Sequence, residues 1–439
     1  MNAIILSVGD ELVLGQTVDT NSAWLSQQLA AVGCAVAAHV TVADDQRAIE
    51  QAIEESVGRC DVLLISGGIG PTEDDLTRQA LAAVMNVPLE PNETWLAELH
   101  KFFEARGRKM PEANRIQAMI PRGATMVFNH NGTAAGIDAG IDATYVSGDQ
   151  KTICRVFVMP GVPKEMKAMF TRDVLPHVNQ MSGGAVILSR TLHTFGLGES
   201  AVAEKLGRQM MRDRNPSVGT TVTGGVVSLR INARFGSVSE AEQQLRETED
   251  ACRAAMGDII YGQDEQTLQE VVGRLLLDEK KRVSTAESCT GGLLAKMITD
   301  VPGSSAYFEV GYITYSNRIK EEWIEQPKDV VKTNGAVSEP VVKAMAMQAL
   351  MDSGGDCALA ISGIAGPGGG TPTKPVGTVC IPLAWASPPP PGQLDPTYDT
   401  HTLARTFNFP GDREMIRDRS AKMALTMLRY HLLGKPMPF

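Results

Sequence analysis

Three times along this chain a short apolar run stops at a glycine-rich turn, and that punctuation limits the fold more than any other feature. Val62–Ser66 runs into Gly67-Gly68-Ile69-Gly70-Pro71-Thr72-Glu73-Asp74-Asp75. Val283–Ala286 runs into Glu287-Ser288-Cys289-Thr290-Gly291-Gly292, and Cys357–Ile361 into Ser362-Gly363-Ile364-Ala365-Gly366-Pro367-Gly368-Gly369-Gly370. Short apolar runs without polar alternation mark strands buried on both faces, as in parallel sheets covered by helices. Helical periodicity lies between such runs. Leu25, Leu29 and Val32 share one face, with Gly33 placed as a C-cap, and Asp44-Asp45 precedes a face of Ile49, Ile53 and Val57. The alternation predicts an α/β fold whose ligands bind at the carboxyl ends of the strands.

A chain of 439 residues exceeds one hydrophobic core and suggests about three domains. Between about 186 and 260 the order changes to strand, helix, strand, strand, helix, which predicts a small α+β domain. It lacks the basic G-x-x-G loop of an RNA-clamping module. The predicted boundaries are 1–172, 173–262 and 263–439. A formal charge of −10 argues against a general nucleic-acid binder, which needs a basic face. Met1–Ser7 has no basic segment ahead of an apolar one, and no run reaches membrane-spanning length. Seven cysteines stand apart without C-x-x-C spacing, which fits reduced thiols and a cytoplasmic protein.

In the first domain, the loops Gly9–Gln16, Asp44-Asp45 and Gly67–Asp75 are expected to converge at one sheet edge. Gly67, Gly68 and Gly70 suit a turn that presents N–H groups to phosphate oxygens. The carboxylates Asp10, Glu11, Asp45, Asp74 and Asp75 would repel bare phosphates unless a cation lies between, so a divalent metal is expected. The alternative is that Asp45 and Asp74 cap helices and the glycines form a tight turn.

The last domain carries a different chemistry. Ser288 is expected at a strand-to-helix turn, beside a helix beginning near Thr290 whose first amides lack helical partners. Gly311–Tyr315 alternates like a strand, Asn317 is placed to cap, and Lys320 falls in the first turn of the next helix. A hydroxyl, a phenol and an amine then meet at one sheet edge, a hydrolase-like grouping. Helix capping and ordinary packing would use the same residues. Only His401 and His431 lie in this domain, neither near Ser288 in sequence, which disfavours a Ser-His-Asp triad. A desolvated Lys320 is the expected base, directly or through Tyr315. Cys289 is the competing nucleophile. The glycine loop from Gly363 to Gly370, with Gly366 at its bend and Lys374 nearby, suits a ligand phosphate or ring. Arg413 and Arg417, on adjacent turns of the final helix, either contact phosphate or decorate the helix. The proline-rich stretch 387–400 reads as an exposed hairpin tip or spacer.

Two sets of motifs carry a family resemblance. A-E-S-C-T-G-G, Y-S-N-x-x-K, I-S-G-I-A-G-P-G-G-G and K-P-V-G-T-V, over roughly the last 170 residues, resemble the C-terminal domain of the CinA (competence/damage-inducible) family, a nicotinamide mononucleotide deamidase. G-D-E-L-x-x-G-Q-x-x-D-T-N, G-G-I-G-P-T-E-D-D-L-T and M-P-G-V-P-K-E-M, within residues 1–170, resemble the molybdopterin-binding (MoaB/MogA/MoeA-like) fold at the N-terminus of the same family. The resemblance implies a three-layer molybdopterin-binding-like domain, a KH-like α+β middle and an α/β deamidase domain. It implies Ser288, Tyr315 and Lys320 as catalytic residues, and Thr290, Gly291, Gly292, Gly363, Gly366, Lys374 and Arg413 as substrate-binding. For the N-terminal domain it implies ADP-ribose hydrolysis, with Asn21, Gly67, Gly68, Gly70, Thr72 and Asp75 on the nucleotide. Asp10, Glu11, Asp45 and Asp74 would hold Mg, Mn or Co, with K+ as a second candidate ion, whereas deamidation needs no cofactor. The stretch Asn129–Gly136 corresponds to a loop over that pocket. The expected partners are nicotinamide mononucleotide and ADP-ribose, with neither membrane nor nucleic acid, in a homodimer. Two other readings stay open: a non-catalytic partner in competence or DNA repair, and adenylyl transfer to molybdopterin by the N-terminal half.

Overall fold

The computed structural model describes residues 1–142, 153–183, 186–387 and 399–439. All but the ends of the proline-rich stretch, residues 388–398, lie outside the described residues. The chain divides into two compact units, Met1–Ser189 with Asn232–Glu247, and Arg190–Ile231 with Thr248–Phe439.

The first unit is built on a six-stranded sheet. Its order is Ala35–Val42, Asn2–Val8, Val62–Ser66, Ile153–Met159, Gly136–Asp142 and Thr125–Val127. The first four strands pair in parallel and the last two pairings are antiparallel. Asn2–Val8 and Val62–Ser66 are central and almost wholly buried, as their unbroken apolar character requires. Helices cover both faces. Ile49 and Ile53 of Gln46–Val57 pack with Ile4, Leu6, Leu63 and Ile65 on one side. On the other, Leu25 and Leu29 of Thr20–Ala31 pack with Ile5, Leu64 and Phe157. Val174 and Val178 join that second cluster, so the chain just past 172 still packs against this sheet.

The middle segment forms a four-stranded sheet in the order Ser217–Thr223, Val226–Phe235, Val186–Phe195, Ile260–Gln263. Its helices are Glu199–Leu206 and Val238–Met256. The edge strand Ile260–Gln263 is one the sequence pattern does not announce, because four residues are too few to show a period.

The last sheet runs Phe308–Ile313, Val283–Glu287, Cys357–Gly363, Thr378–Ser387, Asp399–Asn408. The first three are parallel and the last two antiparallel additions. Val283–Glu287 and Cys357–Gly363 are buried between Glu339–Ser353 and Arg413–Leu432. The two glycine-ended runs therefore open at the same edge. Asp399–Asn408 was not expected as a strand; it sits at the sheet's margin and alternates exposed and half-buried residues.

Candidate functional sites

Glu287 decides the shape of the turn after the central C-terminal strand. It is fully buried, and its carboxylate accepts from the amides of Gly292 (3.0 Å), Leu294 (3.0 Å) and Ala295 (2.8 Å). The carboxylate thus satisfies the open N-terminus of the helix Leu293–Thr299 from the preceding strand. The helix begins at Leu293, not near Thr290, because Gly291 and Gly292 take positive φ (59° and 93°). Sequence reasoning passed over Glu287; the signal available was an acid five residues ahead of a glycine that precedes a helix. Glu287→Ala is expected to cost about 3 kcal/mol or more in urea unfolding, since three helix N-terminal amides, one buried and two half-buried, lose a charged acceptor. Glu287→Gln, which keeps one acceptor, should cost clearly less.

Ser288 lies on this turn. Its amide bonds the Ile361 carbonyl at 2.9 Å, tying it to the neighbouring strand. Its hydroxyl has no hydrogen bond among the described residues. The expectation of open amides at Thr290, Gly291 and Gly292 is corrected in part. Gly291 N–H is taken by Ser288 O (3.0 Å) and Gly292 N–H by Glu287. Thr290 keeps both donors open among the described residues: its amide bonds nothing, and its buried hydroxyl has no partner. Cys289 is buried, and that burial pushes its thiol up to about 11.

Lys320 is almost fully buried in the short helix Asn317–Trp323. The helix is capped by Ser316, not Asn317, through Ile319 N–H at 3.2 Å. The Lys320 amine donates to the Tyr315 carbonyl at 3.0 Å and has no carboxylate partner among the described residues. Burial pushes its pKa down. The strands that precede Ser288 and Lys320 are parallel neighbours, so both residues follow the same edge of the sheet. Tyr315 is brought to the same edge, but its exposed phenol accepts from Arg413 at 3.0 Å and contacts neither Lys320's amine nor Ser288.

Arg413 also donates to the Gly366 carbonyl at 2.8 Å, and Arg417 to the Thr290 carbonyl at 2.7 Å. The final helix therefore clamps all three loops together, which sequence spacing left undecided for Arg417. Lys374 is turned toward the Val337 carbonyl at 2.7 Å. Gly363 answers to packing: a Cβ there would lie 2.7 Å from Val379 and 2.9 Å from the Thr378 carbonyl.

In the first unit, a cleft of about 530 Å³ opens at the carboxyl ends of the strands. Glu11, Asp44, Gly67–Gly70, Asp74, Asp75, Thr133 and Glu165 are among its walls, so the Asn129–Gly136 loop does border it. Gly67 is indispensable by geometry, with φ +109° and a Cβ position 2.2 Å from the Val8 carbonyl. Asp75 has a different role from the one expected. Its oxygens accept from Gly70 N–H (2.7 Å), Thr72 N–H (2.9 Å) and the Thr72 hydroxyl. It folds the turn, in which the Gly68 and Ile69 amides have no partner among the described residues. Asn21 lies in a smaller adjoining pocket, where it bonds Ser66 and the Gly161 carbonyl.

The four expected metal ligands are not grouped to hold an ion, although Asp10, Glu11 and Asp74 lie around Asp44. Asp45 caps Gln46–Val57 through Ala48 N–H at 2.9 Å. Asp10 and Asp44 clasp one another, each side chain accepting from the other's amide at 3.1 and 2.9 Å. Burial, with the neighbouring charges of Asp10, Glu11 and Asp74, holds the Asp44 carboxyl above its usual range. No three His, Cys, Asp or Glu side chains among the described residues are grouped to hold an ion. As placed, these residues do not fit a divalent metal held by the protein alone.

Comparison with known proteins decides the family. Residues 4–180 match the model of a probable molybdopterin binding domain, 189–262 the damage-inducible protein CinA KH domain, and 265–432 the CinA C-terminal domain. A competence-damage inducible protein of Symbiobacterium thermophilum is 43% identical over 436 residues, 99% of each chain. The chain belongs to the CinA family. A second family member, from Caldicellulosiruptor bescii, is 40% identical across 99% of this chain and 100% of its own. Among solved structures, CinA from Thermoplasma acidophilum is 30% identical over 39% of this chain and 95% of its own, with a TM-score of 0.35. The three-domain plan expected from the motifs is thus that of the family. No helix among the described residues is long and apolar enough to cross a membrane.

Proposed function

We propose that the C-terminal domain is a serine amidohydrolase that converts nicotinamide mononucleotide to nicotinate mononucleotide and ammonia. The observation that supports it best is the buried, carboxylate-free Lys320 amine beside the Ser288 turn. A lysine so placed is driven toward its neutral form, which is the state a general base needs. Lys320 takes the Ser288 proton and the alkoxide attacks the carboxamide carbon. The Thr290 amide and hydroxyl, unpaired though buried in the resting protein, receive the developing oxyanion. As the tetrahedral adduct collapses, the Lys320 ammonium returns a proton to the nitrogen and ammonia leaves. Water, deprotonated by the same amine, then releases the acid from Ser288. Arg413 and Tyr315, joined at the exposed rim, face the anionic end of the substrate.

The test is incubation of purified protein with nicotinamide mononucleotide, measuring ammonia and the acid product. Stoichiometric formation of both supports the reading, and no turnover over a broad pH range rejects it. Arg413→Ala is expected to raise KM about tenfold or more with a smaller change in kcat, since it removes a substrate-anion contact.

The cleft of the first unit favours a second, separate reading: binding of a nucleoside diphosphate such as ADP-ribose on the Gly68 and Ile69 amides. A divalent ion there would have to arrive with the ligand's own phosphates, given the scattered carboxylates. Gly67→Ala should abolish ADP-ribose binding measured by calorimetry with Mg present. Its strained backbone costs about 1–3 kcal/mol before the clash with Val8 is counted. Ammonia release should be unchanged in the same variant.

A further inference from the structure

Seven cysteines are buried in this protein, but Cys60 and Cys154 stand apart from the rest. Their sulfurs are 3.8 Å apart, within the first unit. Cys60 follows the helix Gln46–Val57, and Cys154 lies at the start of Ile153–Met159. The residues just after them are joined, Arg155 N–H donating to the Asp61 carbonyl at 2.9 Å. The register sets Val62 opposite Arg155, so Cys60 lies one residue off from Cys154, and the 3.8 Å between their sulfurs is what makes them a pair.

Access comes from the opposite end of the sheet to the nucleotide cleft. A cavity of about 220 Å³, lined by Asn2, Val57, Gly58, Arg59, Cys60, Asp61 and Ile153, reaches Cys60. Cys60 is 9% exposed and Cys154 1%, so the first thiol meets solvent and the second sits behind it. This is the order of a reacting and a resolving cysteine.

We infer that Cys60 and Cys154 form a two-thiol oxidation site, with Cys60 attacked first by a small peroxide and Cys154 resolving it to an intramolecular disulfide. The Cys60 sulfur attacks one peroxide oxygen, the O–O bond breaks and water leaves, giving Cys60 sulfenic acid. The Cys154 thiol attacks that sulfur and expels a second water. Two thiols and one peroxide thus become one disulfide and two waters. The local hydrogen bonds suit Cys60 to the first step. Cys60 donates to the Ser56 carbonyl at 3.2 Å, and the bond from Cys154 holds the Cys60 thiol below its usual range. Cys154 is pushed up by that same contact and by burial.

The experiment treats reduced full-length protein with hydrogen peroxide under native conditions, blocks remaining thiols in denaturant and maps the peptides by mass spectrometry. The expected product is a Cys60–Cys154 crosslinked peptide lacking two hydrogens, reversed by dithiothreitol. In Cys154→Ser, a sulfenic acid on Cys60 should be trapped by dimedone. In Cys60→Ser, Cys154 should remain a free thiol. Circular dichroism melting of both variants shows that they fold. Cys34 is the internal control, since it is fully buried yet close enough to feel the Cys60 charge. A Cys34–Cys60 crosslink, disulfides only between molecules, or no oxidation of Cys60 in the folded protein would each overturn the assignment.

Discussion

Ser288→Ala is expected to remove ammonia release from nicotinamide mononucleotide by at least ~10⁴-fold, the scale on which a covalent nucleophile acts. Cys289→Ala should keep most of the activity. The two residues are adjacent, so mutation of either disturbs the same turn, and the contrast between them isolates chemistry from structure. Burial holds the Cys289 thiol at about 11, so almost none of it is thiolate at neutral pH. Ser288, by contrast, has its backbone pinned to Ile361 and its hydroxyl uncommitted. Thermal melting of both variants should match the parent within a few degrees. Loss of activity in Cys289→Ala with retention in Ser288→Ala would assign the nucleophile to the thiol.

Lys320→Met should lower kcat about 10²–10⁴-fold, the usual contribution of a general base. It should not destabilise the fold, and a modest gain is expected. The buried amine has no carboxylate partner, so an apolar side chain of similar length removes a desolvation penalty. Lys320→Arg is the sharper variant, because a guanidinium keeps the charge and cannot give up a proton. It should be as inactive as methionine and less stable. The pH dependence follows from the direction of the shift. Burial lowers the folded pKa, so kcat/KM should rise with pH through a midpoint below the ordinary lysine value of about 10.4. The same linkage makes this lysine's contribution to stability complete above the unfolded value. It is lost as pH falls through the folded one. Both dependences should vanish in Lys320→Met. An unchanged pH–rate profile in that variant would exclude Lys320 as the base.

Much of this architecture could be read from residue order. Runs such as Val62–Ser66 and Cys357–Ile361 are apolar throughout because helices cover both their faces, and Gly67 follows the first where the backbone turns through positive φ. The strand-to-helix pattern also put the turns after Val283–Glu287 and Phe308–Ile313 at one sheet edge. Side-chain commitments were less legible, because one residue type serves several purposes. Asp45 read equally as a helix cap or a ligand and proves to be the cap, whereas Asp75 looked like a ligand and folds the glycine turn. Glu287 looked like a bystander to Ser288, although three amides depend on it. Tyr315 carries its phenol to Arg413, a residue 98 positions later, which no local pattern encodes. The Asp399–Asn408 strand escaped notice because a margin strand need not bury a continuous apolar face.

The most direct measurement is a rapid quench of the full-length protein during turnover of nicotinamide mononucleotide, followed by mass mapping of the peptide containing residues 288 and 289. A pyridine-nucleotide acyl group on Ser288, appearing with a burst of ammonia and decaying as acid forms, is the expected result. An adduct on Cys289, or full ammonia release with no covalent species at any time, would contradict it.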